Sequence, residues 1–123
     1  MVEVMADLSM FAGNAEIRKV PAGHNFFFAG DPGDLMYVVL SGDVEIIIND
    51  KIVETVHSGG MFGEMALIDR RERSAAARAK TDTEVAAIDQ EQFISLLATH
   101  PFFSIEVMHA MTERLRLLNQ ALF

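Results

Sequence analysis

Between Ile17 and Asp89 no apolar run outlasts a short strand before Gly, Pro, Asp or Asn interrupts it, and that punctuation narrows the choice of fold. "EIRKV" stops at "PAG", "NFFFAG" at "DPGD", and "LMYVVLSG" passes into "DVEIIIND". "KIVETVHSGG", "SAAARAKTD" and "TEVAAID" follow. Val, Ile, Tyr and Phe suit a pleated, half-buried surface, while the residues between the runs supply turns. Short strands at such close spacing predict an antiparallel barrel or jelly roll. The expected class is α+β and mainly β.

After Asp89 the period changes. "DQEQFISLLATH" offers Asp89 as N-cap with Gln92 three residues on, a capping-box pattern. Pro101 suits the first turn of a second helix running to about Leu122. On that helix Met108, Met111, Leu115, Leu118 and Leu122 form a seam of about two heptads. The seam serves either a homodimer or packing on the barrel. Val107, Ala110 and Leu117 give the helix a second apolar side. The expected organisation is one domain over 1–123: a lead-in at 1–16, the barrel at 17–89 and two helices at 90–123.

The totals exclude several functions. A formal net charge of −8 repels nucleic-acid backbones and anionic membranes, so neither DNA nor a membrane is expected as a partner of this chain. Without cysteine there is neither a disulfide nor a thiolate metal site, which is compatible with a cytoplasmic setting. His24, His57, His100 and His109 are scattered and include no pair at ligand spacing, and no Gly-x-Ser-x-Gly motif occurs. The expectation is a protein that is not an enzyme and holds no metal and no cofactor.

Against this acidic background one stretch stands apart. "MFGEMALIDRRERSAAARA", residues 61–79, and the Lys that follows it hold Arg70, Arg71, Arg73, Arg78 and Lys80, five of the ten basic residues. Gly63 permits close approach to the main chain, and "EMALID" is long enough for a turn or so of helix whose first amides point outward. Arg73 can give an anion a two-pronged contact. Glu64, when ionised, only accepts hydrogen bonds and therefore suits a hydroxyl. Ser74, Ala75, Ala76 and Ala77 leave room for something flat. Acceptor, fork and space together describe a nucleotide. The bland alternative is a Glu64–Arg73 ion pair bracing a barrel corner, and Arg70 and Arg71 read as a solvated loop.

This segment resembles the phosphate-binding cassette of the cyclic-nucleotide-binding domain family, F-G-E-x-A-L-x(5)-R-x-A, matching at Phe62, Gly63, Glu64, Ala66, Leu67, Arg73 and Ala75. "VPAGHNFFFAGDPGDLMYVVLSGDVEI" resembles the family's first barrel strands, and the two C-terminal helices resemble its B and C helices. The resemblance implies a cassette over 62–75 in which Glu64 accepts the ribose 2′-OH and Arg73 faces the phosphate. The amides of Gly63 and Ala66 and the amide or hydroxyl of Ser74 would add phosphate contacts, with Phe62, Met65 and Ala75 completing the site. Alignment of "MTERLRLLNQALF" with the family's C helix sets Leu118 and Asn119 over the base. The implied ligand is cAMP in preference to cGMP. Transcription factors of this family continue into a helix-turn-helix domain, whereas this sequence ends at Phe123. The expected outputs are therefore an unknown partner protein, self-association or ligand buffering. A ligand-free interaction module, or the sensor domain of a larger regulator or channel, stays open as the alternative.

Overall fold

A computed structural model of the chain describes residues 15–69 and 71–122, with side chains for all of these except 69 and 117–122. Among the described residues the strands are β1 (Glu16–Val20), β2 (Asn25–Phe27), β3 (Leu35–Ser41), β4 (Val44–Ile48), β5 (Lys51–Val56), β6 (Met61–Phe62), β7 (Ala76–Ala79) and β8 (Thr83–Asp89). A short helix α1 (Glu64–Asp69) follows β6, and α2 (Gln90–Thr99) and α3 (Pro101–Leu122) close the chain. The strands form two antiparallel four-stranded sheets, ordered β1-β8-β3-β6 and β2-β7-β4-β5. This is the jelly-roll sandwich with helices that the turn spacing predicted.

The near-continuous apolar runs of β3 and β8 have a simple cause. Successive side chains on a strand point to opposite faces. Tyr37, Val39, Val85 and Ala87 face inward and form the core between the sheets with Val44, Val56 and Phe62. Met36, Val38, Ala86 and Ile88 face outward, where Phe93 of α2, Phe103 and Val107 of α3, and Leu67 of α1 cover them. The middle stretches of β3 and β8 are thus buried on both sides and need apolar residues at successive positions, whereas the edge strand β1 keeps charged, exposed residues.

Local chemistry fixes the joints. Asn49 and Asp50, both at positive φ, make the two-residue turn between β4 and β5, which suits the twist of a hairpin. Asp89 accepts a hydrogen bond from the Gln92 amide at 2.8 Å, and the Gln92 side chain accepts one from the Asp89 amide at 3.0 Å. The capping box read from the sequence therefore starts α2. Phe93 and Phe103 then meet edge to face, 5.9 Å between ring centres, and dock α3 beside α2.

Candidate functional site

The cassette segment lies where β6 ends, and glycine decides its path. Gly63 has φ +79°, and a Cβ there would stand 2.8 Å from the Arg73 Nη1. Gly63→Ala should therefore cost about 1–2 kcal/mol of stability from the left-handed backbone alone, seen as a lower urea midpoint. An unchanged midpoint would mean that the backbone and Arg73 relax without cost. Gly33, in the β2–β3 loop, lies under the same guanidinium; a Cβ would meet Arg73 Nε at 2.6 Å and Ala66 Cβ at 2.7 Å. Two backbone hydrogen bonds join that loop to the cassette, Gly30 N–H to the Arg73 carbonyl and Arg73 N–H to the Asp31 carbonyl, each 2.8 Å.

Arg73 itself is only 7% exposed. Its guanidinium donates to the Gly63 carbonyl at 3.0 Å and the Leu35 carbonyl at 2.6 Å, and its Cζ lies 4.0 Å from the centre of the Phe27 ring. Its Nε is buried with no hydrogen-bond partner, and no carboxylate among the described residues reaches ion-pair distance of it. Burial pushes the guanidinium below its usual value, and Tyr37 and the charges of Asp34, Glu64 and Asp31 pull the other way. Such a cation is incompletely compensated.

Glu64, at the first turn of α1, is 1% exposed. The ion pair with Arg73 offered by the bland reading is not what forms. The partner of Glu64 is Arg114 of α3, which also donates to the Met61 carbonyl and grips Glu54 of β5 at 3.0 and 3.3 Å. Burial pulls the Arg114 guanidinium down, and the charges and hydrogen bonds of Glu64 and Glu54 together outweigh it and leave it raised. Both acids hold it in its charged form.

One cavity connects these groups. Phe62, Gly63, Glu64, Met65, Ala66, Arg73, Ser74 and Ala75, the cassette residues read from the sequence, all line it. Phe27, Ile46 and Arg114 close its remaining walls. Arg71 is exposed and lines the same cavity, whereas Arg70 lies outside the described residues. Arg78 pairs with Glu45 at 3.2 Å on the neighbouring strand, and Lys80 is exposed. The basic cluster of the sequence thus divides, with Arg73 alone of its four described members buried against the cavity. The side chains of Leu118 and Asn119 lie outside the described residues. Arg114 and Glu54 were not singled out by the sequence reading. Among the described residues no group of three His, Cys, Asp or Glu is arranged to hold a metal, and no helix is long and apolar enough to cross a membrane.

Residues 17–100 match the family model for the cyclic nucleotide-binding domain. The chain belongs to that family. It is similar to the cyclic AMP receptor protein of Thermus thermophilus, 34% identical over 104 residues, which cover 80% of this chain and 48% of that protein. A cAMP-dependent protein kinase regulatory subunit of Emericella nidulans is 40% identical over 81 residues, 64% of this chain and 20% of the relative. The chain therefore spans about half or less of the length of these curated relatives. Among solved structures it resembles the Thermus thermophilus catabolite activator protein at a TM-score of 0.81 and 30% identity, over 94% of this chain and 57% of that one. A structure from a cyclic-GMP-dependent signalling pathway of bacterial phytopathogenesis aligns at a TM-score of 0.72 and 26% identity, over 92% of each chain.

Proposed function

We propose that this domain is a sensor for a 3′,5′-cyclic nucleotide, with cAMP favoured over cGMP. The observation that carries the reading is Arg73: a buried guanidinium at the cavity wall, held by two carbonyls and a ring face, with no carboxylate among the described residues at ion-pair distance. A cyclic phosphate supplies the missing charge, and the planar fork of Arg suits two of its oxygens. Gly63, Ala66 and Ser74 give the phosphate main-chain or hydroxyl contacts. Glu64 accepts the ribose hydroxyl, and Phe62, Met65 and Ala75 pack around sugar and base. The resemblance to the family's C helix assigns cover of the base to Leu118 and Asn119. The preference for cAMP draws support from the two relatives named for that ligand.

Arg114 gives the sensor an output. It joins α3 to Glu64, so a ligand that engages this carboxylate changes what α3 is held by. Only a ligand that contacts the states of α3 differently can shift their populations. On its outer side α3 exposes Ile105, Met108 and Leu115, each 58% exposed, a stripe suited to a second copy or to a downstream protein. A cytoplasmic site of action goes with this reading. Hydrogen exchange tests the coupling. With cAMP bound, amides of residues 101–122 should exchange at least several-fold more slowly, whereas α3 exchange unchanged at saturating ligand would remove α3 from the mechanism. Titration with cGMP tests the preference, which requires the weaker affinity for cGMP.

A further inference from the structure

The position of Glu54 on β5 is unusual for an acid. It pairs across the hairpin with Ile46, and Val56, two residues on, pairs with Val44. Directly opposed residues share a face of the sheet. Ile46 lines the cavity, and Val44 and Val56 are buried in the core between the sheets, so the face that carries Glu54 is the inward one. A carboxylate on that face needs a cation. Arg114 supplies it: Nε donates to one Glu54 oxygen at 3.0 Å and Nη2 to the other at 3.3 Å, the two-pronged geometry of a strong pair. The remaining nitrogen, Nη1, donates to one Glu64 oxygen.

That division of donors has a consequence for Glu64. A guanidinium with a single acid in reach turns its two-pronged edge onto it and engages both oxygens. Here the edge belongs to Glu54, and Glu64 receives one N–H. We propose that Glu54 sets how strongly the site depends on a ribose 2′-hydroxyl, because its grip on Arg114 keeps the Glu64 carboxylate open to that hydroxyl. Without the Glu54 charge, Arg114 turns its edge to Glu64 and competes with the sugar for the same oxygens. Glu54 is thus a positioning residue for ligand selection. This inference rests on the reading of the cavity as a cyclic-nucleotide site with Glu64 as the hydroxyl acceptor.

The test is calorimetric titration of the full chain with cAMP and with 2′-deoxy-cAMP, in the wild type, in Glu54→Gln and in Glu54→Asp. The wild type should prefer cAMP by roughly ten- to a hundredfold, the range of a hydrogen bond to a charged acceptor. Glu54→Gln keeps the size and drops the charge, and the ratio should fall several-fold, chiefly through weaker cAMP binding. Glu54→Asp keeps the charge and should restore part of the ratio. In the nucleotide-free protein, the Arg114 Nε–H resonance should move in Glu54→Gln and move less in Glu54→Asp. If Glu54→Gln does not fold, Glu54→Ser repeats the measurement with a smaller neutral side chain. An unchanged ratio in a folded neutral variant overturns the proposal, even where both affinities fall together, because Glu54 would then only brace α3. A wild type that binds neither ligand, or both equally, contradicts the role of Glu64 instead and takes this inference with it.

Discussion

Arg73→Ala should abolish most nucleotide binding while leaving a folded domain. A phosphate taken out of water needs a counter-charge, and truncating one partner of a buried, hydrogen-bonded charge pair costs on the order of 2–5 kcal/mol. That corresponds to roughly 30- to several-thousand-fold in affinity. The fold should survive because the side chain offers its neighbours little: two carbonyls and one face of Phe27, with Nε unsatisfied. Removing an incompletely compensated buried cation also removes a desolvation cost. Arg73→Lys distinguishes charge from shape. Lys keeps the charge and loses the fork, so its affinity should lie between those of wild type and Ala. Calorimetric titration gives the affinities, and thermal unfolding checks the fold. An Arg73→Ala protein that binds cAMP as wild type does would take the phosphate away from this residue.

Arg114→Ala should do the reverse, with its main effect on stability. Arg114 is 16% exposed on its side chain, and it bridges α3 to β5, to the Met61 carbonyl and to the buried Glu64. Its removal leaves the Glu64 carboxylate, 1% exposed, without a cation. Breaking a buried pair from one side costs roughly 3–5 kcal/mol, a large part of the 5–15 kcal/mol that holds an ordinary domain together. The urea midpoint should drop accordingly. Adding Glu64→Gln to Arg114→Ala should recover part of the loss, since the stranded charge goes with it; close partners couple by about 0.5–3 kcal/mol. A single variant losing less than about 1 kcal/mol would mean that Glu64 finds water once Arg114 is gone. The central position of Arg114 in this account would then fail.

The two arginines mark where the sequence was readable and where it was not. The strands were legible because their ends are written locally, in "PAG", "DPGD" and the Asn49–Asp50 turn, and turn chemistry acts within a few residues. The start of α2 was legible for the same reason, since both halves of its capping box lie within four residues. β6 was not: at two residues, Met61–Phe62, it is too short to show a period, and glycines flank it. The cassette side of the cavity was readable because its residues are contiguous. Their pairing was not. Glu64 and Arg114 are 50 positions apart, and Glu54 and Arg114 are 60. No local pattern registers contacts at that range.

A signal for them was nonetheless present. Val107, Ala110 and Leu117 read as an apolar side of the last helix, and Arg114 falls on that side at helical spacing, four residues beyond Ala110. A charge on an inward face has to be paired, so its position alone asked for an acid across the interface. Glu54 poses the same question on β5, two residues before the buried Val56. Charged residues that break an otherwise apolar period were the readable trace of the contact between α3 and the site.

The central claim is that the cavity takes a cyclic nucleotide through Arg73 and Glu64. Its most direct test is isothermal titration of the purified chain, stripped of bound nucleotide, with cAMP. The account predicts saturable binding at micromolar or tighter affinity with one nucleotide per chain. A folded protein that releases no heat and shows no spectral change with cAMP or cGMP, at concentrations up to the millimolar range, would contradict it.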